Sequence, residues 1–334
     1  MLVFSTGITG FVGGFALPEL VRRGHRVRAL VRSVSRAESR RAELAAIGLD
    51  PDALELCPGD LGSADDLTEA LSGCDAVLHL AGLIAARDLA AFRTVNAEGT
   101  ARLLDAALRQ PAPPRFVLVS SLAAAGPSRP GAARLETEVE APISWYGQSK
   151  REGELEALRR ADRLRVAIAR PPAVYGPGDR ATLSFFKMAR AGWAPFPGAP
   201  GIELSLIHAA DLARGLVLLL EREVPTGRSY FFTGAGTPSF AEVIEVIARA
   251  LGKRARVVRI PRFLANGVAF GSELYARLRG KAPELSRDKL RELAAPAWTC
   301  SGERARAELG FAPTIAWREG LEATAAWYRE RGWI

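Results

Sequence analysis

What the chain has least of is side chains that bind metals or cross-link. Among 334 residues there are three cysteines, three histidines and two methionines. Cys57, Cys74 and Cys300 form no C-x-x-C pair. An odd, scattered set of this kind excludes a disulfide framework and reads as free thiols in a reducing compartment. His25, His79 and His208 share no metal-ligand spacing, so no metal is expected. No apolar run reaches the ~18–20 residues of a membrane span. The N-terminus enters directly on the apolar Leu2-Val3-Phe4, without the basic stretch of a signal peptide, which gives a cytoplasmic reading. A block of like charge is missing too. The net charge is +8 and the pI about 9.8, but the arginines are spread along the chain. Even the run Arg36 to Arg41 is broken by Glu38, and no aromatic platforms lie between. That pattern is a solvated basic surface rather than a nucleic-acid site. Internal repeats and low-complexity linkers are absent as well.

What is present is 48% hydrophobic and 25% charged, enough for one large or two modest globular domains. The chain is organised around Thr6-Gly7-Ile8-Thr9-Gly10-Phe11-Val12-Gly13. An apolar strand precedes this stretch and a helix from about Phe11 to Arg23 follows, with Pro18 expected to kink it. Strand, glycine turn and helix N-terminus together suit a dinucleotide pyrophosphate, although the spacing is G-x-x-G-x-x-G. Gly7 is assigned to the tight turn, Gly10 to close approach of the pyrophosphate and Gly13 to helix–strand packing, with Thr9, Phe11 and Val12 between them.

The next strand, Arg26 to Val31, ends at Arg32. An acidic residue there would hold a ribose 2′-hydroxyl, whereas an arginine suits a 2′-phosphate, with Ser33 and Arg36 as possible helpers. NADP(H) is therefore preferred, with NAD(H) as the alternative. A third strand at Leu54 to Leu56 leads to Gly59-Asp60-Leu61. The Asp60 carboxylate and the Leu61 amide could read an adenine edge, or Asp60 could cap the next helix. The fourth strand, Ala76 to Leu80, passes into Ala81-Gly82, small residues against which a cofactor can lie. His79, inside that apolar strand, reads as a satisfied core histidine. A long helix is expected from Leu89 to Leu108, with Asn96 bonding the sheet backbone.

The fifth strand, Phe116 to Val119, ends in Ser120-Ser121, and a loop from Ala123 to Ile143 could flank a substrate. Tyr146-Gly147-Gln148-Ser149-Lys150 then opens a helix running to about Ala161. Tyrosine and lysine four apart share a face. A nearby ammonium is expected to lower the phenol's pKa and make Tyr146 an acid/base, with Ser121 bonding the reacting oxygen. After a sixth strand, Val166 to Ala169, the stretch Arg170 to Asp179 reads as a rigid loop that sets Pro171 and Val174 against the nicotinamide end. Later segments alternate short strands with helices at Ala209–Leu220, after Ser239 and at Trp317–Arg329. The semi-apolar helix Phe263–Leu278 allows three roles, as core packing, substrate wall or membrane contact, of which core packing is the ordinary one.

These motifs, in this order, resemble the extended short-chain dehydrogenase/reductase family along nearly the whole chain. Val95-Asn96-Ala97-Glu98-Gly99-Thr100, Ile207-His208-Ala209-Ala210-Asp211 and the C-terminal Glu308-Leu309-Gly310-Phe311 also belong to the likeness. The resemblance implies a Ser121–Tyr146–Lys150 catalytic set, with Tyr146 moving the substrate proton and Lys150 holding the ribose. It implies a homodimer and a small-molecule substrate. The expected fold is a Rossmann-type doubly wound parallel sheet over residues 1–170. A smaller substrate lobe would occupy 171–334, with segments near 203–222 returning to the first domain. Three departures bear on the substrate. Ser121-Leu122-Ala123 replaces the Thr-Asp-Glu of sugar-nucleotide dehydratases, Ala124-Ala125-Gly126 replaces Val-Tyr-Gly, and Leu204 stands where many such enzymes hold a diphosphate with arginine. The resemblance therefore favours an NADP(H)-dependent reductase or alcohol dehydrogenase for an apolar substrate, like the 3β-hydroxysteroid dehydrogenase and dihydroflavonol reductase branches. A nucleotide-sugar epimerase, with Arg180 as substitute arginine, and a non-catalytic dinucleotide sensor are the alternatives.

Overall fold

The computed structural model describes residues 1–280, 282–283 and 285–334. Its first half alternates β1 (Leu2–Thr6), α1 (Phe11–Arg22), β2 (Arg26–Val31), α2 (Val34–Ala46), β3 (Leu54–Pro58), α3 (Ala64–Ala70) and β4 (Ala76–His79). Then come α4 (Leu89–Arg93), α5 (Gly99–Leu108), β5 (Arg115–Val119), the short α6 (Leu122–Ala125), α7 (Trp145–Leu158) and β6 (Val166–Arg170). Pro18 lies inside α1 without ending it. Gly24 ends it instead. In its left-handed conformation (φ +77°) it lets the His25 amide reach back to the Leu20 carbonyl at 3.0 Å.

The second half holds β7 (Ala173–Tyr175), α8 (Leu183–Ala191), β8 (Trp193–Phe196), β9 (Glu203–Leu204), β10 (Leu206–His208), α9 (Ala209–Glu221) and β11 (Arg228–Phe231). It continues with α10 (Phe240–Ala250), β12 (Arg256–Arg259), α11 (Arg262–Leu278), α12 (Arg287–Leu293), β13 (Ala297–Trp298), α13 (Glu303–Leu309) and α14 (Trp317–Glu330). The expected rigid loop after β6 contains β7, which pairs in parallel with β10. A reciprocal capping box of Ser239 and Glu242 starts α10.

Seven parallel strands make the main sheet, in the order β11-β6-β5-β4-β1-β2-β3. β4 and β6 are buried along their whole length, as a sheet covered by helices on both faces requires. One face packs Leu17, Leu20, Val27, Leu212 and Leu216, and the other packs Leu67, Leu104, Phe116 and Ile168. A separate core around Phe186, Phe196, Phe240 and Tyr328 builds the second lobe. The winding reverses between β1 and β4. A doubly wound sheet opens a crevice at that point, beyond the carboxyl ends of its strands.

Candidate active site

The glycine turn sits at that crevice. Gly7 adopts φ +79°, and a Cβ there would lie 2.7 Å from the Ala81 nitrogen, so the turn and the end of β4 touch only because Gly7 has no side chain. A Cβ on Gly13 would lie 2.5 Å from the Gly7 oxygen and the Ile8 Cα, which lets α1 sit directly on the turn. Gly10 begins α1 without a capping side chain, and no acidic residue occupies its first turn. The first amides of α1 are therefore donors without helical acceptors, next to the positive end of the helix dipole. This cradle fits a pyrophosphate.

An arginine that motif reading missed completes the turn. Arg40 of α2 donates from Nη2 to the carbonyls of Thr9 and Gly10, 3.1 Å in each case. It passes over Gly14, where a Cβ would lie 2.6 Å from Arg40 Nη1. The signal in the sequence is the fourth glycine, adjacent to Gly13. Arg32 stands exposed just past β2, and among the described residues neither it nor Arg36 has an ion-pair partner. Asp60 is engaged locally, accepting the Gly62 amide at 2.7 Å, and Ser63, not Asp60, caps α3. The Leu61 carbonyl takes a bond from Arg102 Nε at 2.7 Å, and its side chain covers Gly99. Leu80, Ala81 and Gly82 follow β4, with the Ala81 amide bonded to Thr6 Oγ1. Gly82 faces the Lys150 ammonium, 3.4 Å from where a Cβ would stand.

Two glycines seat the helix that carries Tyr146. A Cβ on Gly147 or on Gly153 would come within 2.4 Å of the carbonyl oxygens of Ala123 and Asn96, respectively. The long helix expected from Leu89 to Leu108 forms, with a π turn at Thr94–Glu98 between α4 and α5. Asn96, in that turn, does not bond the sheet. Its amide accepts from the Leu83 nitrogen at 2.8 Å and donates to the Leu83 oxygen and Ser149 Oγ. It thereby ties the loop after β4 to α7. Ser144 caps α7 by accepting the Gly147 amide and donates to Glu292, while the Trp145 amide reaches Asp288 Oδ2 at 2.9 Å. Two carboxylates of α12 thus hold the N-terminus of the Tyr146 helix, a contact across more than 140 residues that no local pattern announces.

Ser121, Tyr146 and Lys150 come together at the ends of β5 and β4. Lys150 Nζ donates to the Val119 oxygen at 2.6 Å. Burial lowers its pKa to about 8, against the pull of Glu154. Tyr146 keeps part of its surface open and lies 6.0 Å, ring to ring, from Phe92. Its pKa does not fall as the Tyr–Lys spacing led us to expect. Desolvation raises it to about 12, the Ser121 hydrogen bond offsets part of the rise, and the Glu292 charge adds to it. Shared helix face is not shared electrostatics: the Lys150 ammonium is turned to a backbone carbonyl, and burial dominates the phenol. The Ser121 hydroxyl also accepts the Ala123 amide at 3.1 Å and caps α6, which occupies the start of the expected loop. The Ser120 hydroxyl is buried and has no hydrogen-bond partner among the described residues.

Other motif residues serve the frame. His79 is bonded to Thr6 Oγ1 at 2.6 Å and to Thr100 Oγ1 at 2.9 Å. Pro171 accepts the Leu122 amide, and Val174 is the middle residue of β7. Asp211 accepts the amides of Thr314 and Ile315, pinning the segment before α14. Leu204 packs into the second-lobe core and Arg180 lies over the Trp333 ring, 4.9 Å from its centre.

Residues 3–231 match the family model described as the NAD dependent epimerase/dehydratase family. A ceramide reductase of Caulobacter vibrioides is 32% identical over all of this chain and 96% of its own length. A 4-hydroxy-2-methyl-3-oxo-4-farnesyl-3,4-dihydroquinoline-1-oxide ketoreductase of Stigmatella aurantiaca is 30% identical over 97% of this chain and 95% of its own. The crystal structure of a protein called gox2253 superposes with a TM-score of 0.78 at 29% identity, covering 99% of this chain and 98% of the other.

Proposed function

The chain belongs to the NAD dependent epimerase/dehydratase family, and from that premise we propose that it is an NADP(H)-dependent reductase of a ketone carried on a lipid-like molecule. The observation that carries the reaction is the meeting of Tyr146, Ser121 and Lys150 beside the crevice. The names of the ceramide reductase and the farnesyl-bearing quinoline ketoreductase support an apolar ketone as substrate. So does Leu204, apolar where a sugar diphosphate would call for a charge.

The glycine turn from Gly7 to Gly13 would hold the pyrophosphate, Arg32 a 2′-phosphate, and Lys150 the nicotinamide ribose. The bound cofactor supplies a hydride to the substrate carbon. Reduction also requires one proton at the substrate oxygen. A phenol with a pKa near 12 is protonated at neutral pH, so Tyr146 stands ready as the general acid. Ser121 positions the same oxygen by hydrogen bonding. Phe92, 6.0 Å from the Tyr146 ring, presents apolar surface beside the proton donor. The α12 carboxylates act at one remove, by fixing the helix that aims Tyr146.

The test is cofactor oxidation by purified protein, with ketones of long-chain and isoprenoid compounds, simple ketones, and UDP- and dTDP-sugars. Oxidation with a lipid ketone is expected. Tyr146→Phe should lower it by about 10²–10⁴-fold, the usual worth of a positioned acid, without abolishing cofactor binding. NADPH should serve better than NADH, and Arg32→Asp should reverse that order. Sugar interconversion without net oxidation would replace the reductase with the epimerase reading. Full function in Tyr146→Phe would favour a cofactor sensor.

A further inference from the structure

Helix α11 is built inside out. Its buried residues are the small ones, Ala265, Ala269 and Ala276, and its large apolar residues face outward. Phe263, Leu264, Val268, Phe270, Leu274 and Leu278 are all exposed, Phe263 to 73% and Leu278 to 81%. At about 100° per residue these positions fill an arc of about 160°, diametrically opposite the alanine seam. Gly267 and Gly271 lie within the arc, with nothing packed where a Cβ would stand. The helix is 17 residues long, about 25 Å. A continuous apolar strip of that length is far from the scattered exposed hydrophobics of an ordinary surface.

The surrounding charge is one-sided. From residue 253 to 279 the chain has seven cationic side chains and a single carboxylate, Glu273. Glu273 is bound to Arg287 at 3.0 Å. Among the described residues, Arg259, Arg262 and Arg277 have no acidic partner. Arg279 lies over the Tyr275 ring, 5.0 Å from its centre. The strand entering the helix, β12, adds an exposed Val258 and pairs with β8, where Trp193 is exposed. A wide apolar arc with arginines at its margins is the pattern of a helix lying in a lipid headgroup layer. No helix among the described residues is long and apolar enough to cross a membrane, so the contact would be peripheral.

We propose that α11 docks this protein on an anionic lipid bilayer. Unpaired arginines complement anionic headgroups, which a second copy of the same basic face would not. The position is apt for chemistry on lipids. The alanine seam packs on Leu290 of α12, and α12 holds the N-terminus of the Tyr146 helix through Asp288 and Glu292. The docking surface is thus one helix away from the site, yet its existence does not depend on the reaction proposed above.

Vesicle co-sedimentation of the full chain tests this without any substrate. Vesicles of phosphatidylglycerol and phosphatidylcholine in equal parts should bind the protein, and pure phosphatidylcholine should bind it much more weakly. Raising salt from about 0.1 to 1 M, which shortens the screening length from about 10 to 3 Å, should release it. Phe263→Asp with Leu278→Asp should abolish binding. Arg259→Glu or Arg262→Glu should weaken it at least fivefold each, from about 1 kcal/mol per cationic residue near an anionic surface. Melting temperature is the fold control, since all four side chains are exposed. Absence of binding, equal binding to neutral vesicles, or binding unchanged in these variants would overturn the proposal. A sedimentation dimer in free solution that the same Phe263 and Leu278 substitutions dissociate would overturn it in favour of a subunit interface.

Discussion

Buried between Thr6 and Thr100, His79 uses both ring nitrogens on hydroxyls. Desolvation, and then the nearby Lys150 charge, lower its pKa to about 3. An unfolded histidine titrates near 6.5. As pH falls below that value the unfolded chain takes up the proton first, so the stability tied to a neutral His79 is complete above about 6.5 and is lost progressively towards 3. The measurement is imidazole proton NMR, tractable because there are only three histidines. The His79 signals should stay flat down to about pH 4. A His79 midpoint between 6 and 7 would contradict the burial argument. Tyr146 follows the same physics with opposite effect, since burial disfavours whichever form is charged. The Tyr–Lys spacing in the sequence identified the pair but carried no information on depth, and depth decided the sign.

At the scale of elements, most strands and helices were legible from the chain. The strand Arg26 to Val31 forms with those bounds, and α1 ends one residue before the sequence placed its end. Apolar runs and glycine turns are local signals, and β1 to β6 rest on them. What escaped was non-local. The π turn at Asn96 exists to meet Leu83 and Ser149, and the Arg40 clasp on the glycine turn depends on how α2 folds back. The face of α11 turned outward because only its alanines fit against α12, which no hydrophobic count over Phe263–Leu278 can tell. The α12 contact leads to a prediction at this scale. Glu292→Ala would strand the Ser144 hydroxyl and should cost about 1–3 kcal/mol in urea unfolding. Turnover should fall with little change in cofactor affinity, because the glycine turn is untouched. Unchanged turnover would show that α7 aims Tyr146 without help from α12.

Across the whole molecule, the main sheet is assembled from distant parts of the chain. Chain leaves it after β6, builds part of the second lobe, and returns through β10, α9 and β11. α9 packs against α1, and β11 forms the edge strand beside β6. Chain leaves again for α10 to α12 and comes back as α13, whose Ala305 and Leu309 join the sheet's core. The glycine motif and the doubly wound class of the sheet were readable in advance, because the motif and the alternation of strands and helices rest on neighbouring residues. The order of the strands rests instead on pairings between distant segments. The repeated return was only partly readable, because β11 looks like any short aromatic strand until its partner is known.

That interleaving limits how such a protein can diversify. Residues that line the second lobe are encoded in separate blocks, divided by segments that complete the nucleotide-binding core. A single crossover in the gene, placed anywhere between β6 and α13, would exchange part of that core together with the lobe. Replacing one lobe by another would require several coordinated junctions. New specificity is therefore reached most directly by substitutions within the excursions, while the sheet and its glycine turn are inherited as one unit.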